Sequence, residues 1–302
     1  MDEFKLTTPV VFFIFKRPKQ TLQVFHAIEQ ARPSKLYVIA DGPRNRSEIQ
    51  DCQLTRKIIN QVNWDCTVYK NYSNENLGVR TRIITGLDWV FDQEESAIIL
   101  EDDCLPHPSF FRFCEELLDL FAENPHVMHI SGDNFLFGVR GSRESYYFSK
   151  YAHIWGWATW KRAWNLFHKW NFEDPKFDTS IFQSDAEKEF WSQIFQQIKS
   201  NQLDYTWDYQ WCILCMAYRS LCVMPNVNLI SNIGFGEEAS NTKGISKLAK
   251  IPTQEMSFPL INAKKMQWNK WADERTAHLF FHAPPPSISS RFKFLLQGNH
   301  QR

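Results

Sequence analysis

The 302 residues carry 34 Lys and Arg against 34 Asp and Glu, a formal net charge of +0, so no global field exists to gather nucleic acid or an anionic bilayer. Charged residues at 23% and hydrophobic residues at 43% are ordinary globular usage, which excludes extended disorder. The aromatic share of 15%, with 12 Trp and 25 Phe, is high; such rings fill a core or stack on flat ligands such as sugars and bases.

Met1-Asp2-Glu3 is acidic and leads into no apolar run before a small-residue cleavage site, so a cytoplasmic location is expected. From there, apolar runs at Pro9 to Phe15, Leu36 to Ala40, Thr67 to Tyr69 and Ala97 to Glu101 read as strands separated by longer segments. This is a βαβ rhythm. Even the longest wholly apolar stretches fall far short of the roughly 18 residues that span a bilayer. Val79, Ile83, Ile84, Leu87, Val90 and Phe91 recur at helical spacing after the turn Asn74-Glu75-Asn76-Leu77-Gly78. Short, nearly all-apolar strands with helices between them predict an α/β fold with a mostly parallel sheet covered on both faces. A helix around Phe110 to Phe121, a strand at His126 to Ile130 and a loop at Gly132-Asp133-Asn134 follow. The Trp-rich half then brings helical patterns through Trp164 and through Phe190 to Ile198. Glu237 to Lys250 reads as a mobile loop, and Pro284 to Ser290 as a linker before a short basic amphipathic tail, Arg291 to Leu296. Seven scattered cysteines, with one CxxC at Cys212 and Cys215, make a poor disulfide framework and fit buried free thiols.

In parallel sheets ligands bind at the carboxyl ends of strands. Those positions hold Lys16-Arg17-Pro18, Asp41 to Arg44, Asn71 to Gly78 and Asp102-Asp103-Cys104. Glu101, Asp102 and Asp103 follow a buried strand directly. Three adjacent acids repel one another and call for a cation or strong donors; they are either a site for a hard divalent ion with phosphates or the acidic start of the next helix. Alternation sends Glu101 and Asp103 one way and Asp102 the other. Asp208, framed by Trp207, Tyr209 and Trp211, is either a general base with a raised pKa or a helix cap. Asp41 either accepts from a base or ribose or closes a plain βα turn. Arg17, Arg44, Arg80 and Arg82 either meet phosphate or lie solvated on helix faces.

Together these segments resemble the nucleotide-sugar half of GT-A glycosyltransferases over most of residues 8 to 242. The likeness is to the inverting N-acetylglucosaminyltransferase I family and its bacterial relatives. It rests on Pro9 to Arg17, Val38 to Gly42, Asn76-Leu77-Gly78, Ile99 to Asp103 with Phe110-Phe111, Gly156-Trp157-Ala158-Thr159-Trp160, Trp207-Asp208 and Pro225 to Gly234. The resemblance implies a GT-A fold over residues 1–245, with a donor half to about 133, a helical acceptor half beyond it, and an extension over 246–302. It implies Asp103 as ligand of Mn2+ or Mg2+, Glu101 and Asp102 holding ribose or sugar, Asp41 near the base and Arg17 near nucleotide or phosphates; Arg80 and Arg82 stand beside them as candidate cofactor-binding residues from their own place in the sequence. Asp208 becomes the catalytic base, and Trp155, Trp157 and Trp160 become candidates for acceptor stacking. Where family members carry a His after the closing segment, this chain has Ala239-Ser240-Asn241-Thr242.

The activity implied is a metal-dependent inverting transfer from a nucleotide-diphosphate sugar, by family usage a UDP-sugar. The acceptor would be a hydroxyl of a glycan or lipid-linked saccharide in surface polysaccharide synthesis. The basic tail would offer a peripheral contact with the inner membrane face. Two rivals are a sugar-1-phosphate nucleotidyltransferase and a non-catalytic carbohydrate binder. The first needs a Gly-rich phosphate loop after strand one, where Lys16-Arg17-Pro18 has no glycine.

Overall fold

An unbroken run of Val, Phe and Ile has no polar face to offer water, so it belongs in the middle of a sheet covered on both sides. The run forms β1 (Val10–Ile14), buried at every residue. The computed structural model describes residues 4–139, 144–172, 178–235, 249–281 and 283–284. After β1 come α1 (Pro18–Ala31), β2 (Lys35–Ala40), α2 (Ile49–Ile58), β3 (Thr67–Tyr72), α3 (Val79–Phe91), β4 (Ser96–Glu101), β5 (Cys104–Pro106) and α4 (Ser109–Leu120). The second half holds β6 (Val127–Ser131), β7 (Tyr146–Ser149), β8 (Trp157–Trp160), α5 (Lys161–Lys169), α6 (Asp185–Lys199), α7 (Asp208–Ala217), β9 (Leu221–Pro225), β10 (Ile230–Asn232) and α8 (Lys270–Phe280).

Eight strands form one sheet in the order β3-β2-β1-β4-β8-β6-β9-β7. The block β3, β2, β1 and β4 is parallel throughout. The reversed strand β8 joins β4 to β6, which pairs in parallel with β9, and β7 closes the edge antiparallel. The sheet is thus mostly parallel, and its strand ends gather on one rim, as expected from the βαβ rhythm. β10 pairs separately with β5.

Period-two alternation sorts the core into two layers. Val10, Phe12, Ile98 and Leu100 face a layer with Phe25, Phe110, Phe113 and Leu117 of α1 and α4. Val11, Phe13, Ala97 and Ile99 face the other, with Leu87, Trp164 and Trp211 of α3, α5 and α7. Much of the aromatic load is spent here. α1 begins with Pro18 in its first turn and ends at Arg32, which takes a left-handed φ of 48°.

Beyond residue 246 the described chain packs against the rest of the fold. Ile251, Met256, Trp271, Ala272 and Ala277 are buried in the same core. Trp268 Nε1 donates to the Ser220 carbonyl at 2.7 Å, and Asn269 N to the Phe148 carbonyl at 2.7 Å. The described part of the C-terminal segment is therefore a strap over β7 and β9; its apolar residues are too sparse to read as core from periodicity. The expected loop at Glu237 to Lys250 falls almost wholly outside the described residues, as do Ala239 to Thr242 and the tail from Ser287 onward. No helix among the described residues is long and apolar enough to cross a membrane.

A buried ionic network anchors the strap. Lys150 Nζ lies 2.6 Å from Glu187 Oε1 and donates to the Ile181 carbonyl at 3.0 Å. Ser149 Oγ donates to Asp273 Oδ1 at 2.6 Å. Burial pushes the Asp273 carboxyl up to about 6, with Lys150 opposing. The folded chain therefore holds this proton more tightly than the unfolded one, a contribution present below the unfolded pKa and lost as pH rises through 6. Asp273→Asn, which removes that titration, is expected to gain about 2 kcal/mol on the wild type between pH 4 and pH 7, read by urea unfolding at each pH.

Candidate functional site

β4 ends at Glu101, and β1 lies beside it in parallel with Phe13 opposite Glu101. That register carries Phe15-Lys16-Arg17 to the acid triplet. Phe15 N donates to Asp102 Oδ2 at 3.2 Å. Arg17 Nη1 lies 2.5 Å from Asp103 Oδ2, and its Nε lies 3.7 Å from Asp102 Oδ1. Asp102 is buried while Glu101 and Asp103 are half-buried, the alternation that an extended segment imposes.

Burial raises the Glu101 carboxyl well above the usual carboxylate range, and the charges of Asp103 and Asp102 add to it. Asp102 is raised as well, by burial first, with Arg17 pulling the other way. Burial works against the Arg17 charge, yet Asp102 and Asp103 hold the guanidinium more firmly protonated than in water. The antiparallel β10–β5 pair closes the far side: Ile233 N donates to the Asp103 carbonyl at 2.8 Å. Gly234 follows, where a Cβ would collide with Asp103 Oδ2 and stand 2.6 Å from Arg17 Nη1. Only glycine fits that position.

Aromatic packing brings in Asp208. Trp157 on β8 lies opposite Ile99 of β4 and stacks on Trp207, ring centroids 5.5 Å apart. Asp208 is the next residue and opens α7; its carboxylate accepts from the Thr206 hydroxyl, and its charge is felt at Glu101. Arg17, Glu101, Asp102, Asp103 and Asp208 thus gather at one rim of the sheet.

Asp41, Arg80 and Arg82 belong to a second cluster, at the ends of β2 and β3. The buried Asp41 carboxylate accepts from Gly42 N at 2.9 Å, Leu77 N at 2.9 Å, Gly78 N at 3.1 Å and Asn76 Nδ2 at 3.0 Å. A carboxylate has about four acceptor positions, so a ribose would have to displace one of these; here Asp41 anchors the turn before α3. Arg82 is buried with its guanidinium on Asn71, 2.9 Å from Oδ1, rather than free on a helix face. Arg80 is half-buried, and its Nε has no partner among the described residues. Arg56 joins them, donating to the Asp41 and Ser73 carbonyls at 2.9 and 2.6 Å. Arg44 is committed to Glu48.

Of the three Trp expected to stack on an acceptor, Trp157 and Trp160 are only 1% and 4% exposed. They are β8 core residues, because a strand between β4 and β6 has both faces covered. Trp155 alone stays half-buried at the rim, 5.6 Å edge-on to Phe235.

One pair of polar groups had no signal in the sequence. Asp133, fully buried after β6, lies 2.7 Å from His153 Nδ1 and accepts from Trp155 N at 3.3 Å. The loop residue was visible, but a partner 20 positions away matches no motif.

Glu101 and Asp103 offer hard oxygen donors on one side of the segment. Among the described residues no three His, Cys, Asp or Glu converge to hold a metal unaided. One or two carboxylates with phosphate and water oxygens is how Mg2+ and Mn2+ sit with nucleotides, so the residues present fit such an ion.

No protein-family model matches the chain, and no curated protein does. Among solved structures it is similar to UDP-glucose pyrophosphorylase complexed with UDP-glucose, at 12% identity and TM-score 0.32 over 56% of this chain and 81% of that one. Apo UDP-glucose pyrophosphorylase gives 12% and 0.34 over 72% and 90%. The apo bifunctional glycosyltransferase WbbM gives 9% and 0.34 over 74% of this chain and 40% of its own.

If Asp41 is an anchor, Asp41→Ala removes four charge-assisted bonds and is expected to cost about 3 kcal/mol. Denaturant unfolding reads the loss, and hydrogen exchange should quicken at the Leu77 and Gly78 amides more than in β2.

Proposed function

We propose that the chain is a GT-A-fold, metal-dependent inverting glycosyltransferase that moves a sugar from a UDP-sugar to a hydroxyl of a glycan or lipid-linked saccharide in surface polysaccharide synthesis. The observation that supports this most is the gathering of Arg17 and three acids at the end of a central parallel strand, with Asp208 brought to the same rim by the Trp157–Trp207 stack. Strand ends of this kind are where open α/β sheets bind their ligands.

Bound Mn2+ or Mg2+, with Asp103 as ligand, supplies neutralisation of the charge that develops on the leaving diphosphate. Arg17 binds the diphosphate and Glu101 holds ribose or sugar hydroxyls; Asp102, expected to share that role, is instead buried on the Phe15 amide beside Arg17 and positions the guanidinium. Asp208 takes the proton of the acceptor hydroxyl as that oxygen bonds to the anomeric carbon. The bond from that carbon to the phosphate oxygen breaks on the opposite face, UDP leaves, and the configuration inverts without a covalent intermediate. The Thr206 hydroxyl occupies Oδ1 of Asp208, which leaves Oδ2 for the proton. Trp155, the rim tryptophan, lines the acceptor side. Arg80 and Arg82, with Asp41 as anchor of the turn between them and β2, lie at the nucleotide end of the rim.

Thermal unfolding with a panel of nucleoside diphosphates, with and without Mn2+, tests the donor site. UDP with Mn2+ is expected to stabilise by about 2.7 kcal/mol at a hundred times its dissociation constant, and Asp103→Ala to abolish the shift. Asp208→Asn is expected to keep the shift but lose transfer by roughly 10²–10⁴-fold. A protein that no nucleotide stabilises, yet that binds saccharides without metal, would be a carbohydrate binder instead.

A further inference from the structure

Resting on the donor-site reading above, we propose that Arg17 and the divalent cation are alternative occupants of Asp103. In the free protein Arg17 is the resident counter-cation, and the diphosphate draws it away as the metal enters.

Both oxygens of Asp103 have neighbours. Arg17 Nη1 fills Oδ2 at 2.5 Å, Cys104 Sγ lies 3.6 Å from Oδ1, and Gly234 is packed so closely on Oδ2 and Arg17 that no side chain fits there. A guanidinium has only donors and cannot share a metal, and two cations on one carboxylate repel. A metal that takes Oδ2 therefore takes the position that Arg17 holds. Arg17 can leave, because its backbone is fixed independently: its carbonyl accepts from Thr21 N at 2.9 Å as α1 begins. Among the described residues its side chain makes ion pairs with Asp102 and Asp103 only. Losing Asp103 strands a half-buried cation unless a new anion arrives, and a diphosphate beside the metal is such an anion. Metal and nucleotide then each tighten the other by the same factor, since linkage is reciprocal. Metal alone binds weakly.

The test measures Mn2+ binding to the full chain by the electron paramagnetic resonance signal of free Mn2+, first alone and then with saturating UDP. Arg17→Gln is expected to bind Mn2+ alone roughly tenfold more tightly, by the size of effect one adjacent charge has on a carboxylate. Its affinity for Mn2+ with UDP is expected to fall by a similar factor, so the coupling shrinks from both ends. Lys16→Gln removes the same charge one residue away, where Lys16 pairs with Glu48; it should stay within about twofold of wild type. Arg17→Lys keeps the charge without the fork, tightens Mn2+ a few-fold, and decides the matter if the glutamine variant does not fold. The proposal is overturned if a folded Arg17 variant binds Mn2+ alone no more tightly than wild type, or if Lys16→Gln tightens it equally. Wild type that binds Mn2+ but never UDP would sink the donor-site reading, while the comparison with Mn2+ alone would still judge Arg17.

Discussion

Three carboxylates set side by side at the end of a buried strand repel one another and lose water, and the surrounding structure is arranged to offset that cost. Alternation turns Asp102 inward against the Phe15 amide and leaves Glu101 and Asp103 facing the rim. The parallel register of β1 on β4 delivers Arg17, because Phe13 opposite Glu101 leaves four residues to turn over the strand ends. A one-residue slip would reverse which side chains face the rim and which face the core. Such a slip would also exchange the two core layers, which pack Val10 and Phe12 on one side and Val11 and Phe13 on the other. Core packing and site electrostatics are thus set by the same hydrogen-bond register.

The tryptophans connect the sheet to α7. Trp157 stacks on Trp207 and on His129, the latter at 5.2 Å, and Trp211 Nε1 donates to His129 Nδ1 at 3.1 Å. Burial pushes His129 down to about 3, so the imidazole stays neutral and serves as a rigid hydrogen-bonding spacer. Large rings with a single polar handle are suited to this. They span the distance from β8 to α7 and fix the helix start that carries Asp208, which is why aromatic residues abundant enough to suggest a sugar platform are mostly core.

The elements legible in the sequence were those whose signal is local. β1, β2, β4 and α3 appeared within a residue or two of their observed ends, because all-apolar runs and helical periodicity need no knowledge of partners. β7 and β8 are four-residue strands, too short for a period to show, and the aromatic residues around β8 read as ligand surface or helix approach instead. The acid triplet and Asp208 were visible as residues, but their convergence depends on Trp157 facing Trp207 across 50 positions. Asp41 shows the reverse: its position at a strand end suggested a ligand, while its carboxylate is occupied by the amides of Leu77 and Gly78 from a distant turn. The strap residues Met256 and Trp271 gave no pattern because each is an isolated anchor in a polar segment.

A formal charge of zero conceals strong local segregation. Along the rim, Arg56 and Arg82 crowd the ends of β2 and β3 around Asp41, and Arg17 stands between them and the acids after β4. Because the protein carries no long-range field, charged ligands gain little steering at a distance. Discrimination has to come from a few half-buried groups, where solvent screens least. An arginine shared between an acid pair and an incoming anion is an efficient element in such a setting: it keeps the acids neutralised when no ligand is bound and turns the same charge toward the ligand when a metal takes its place.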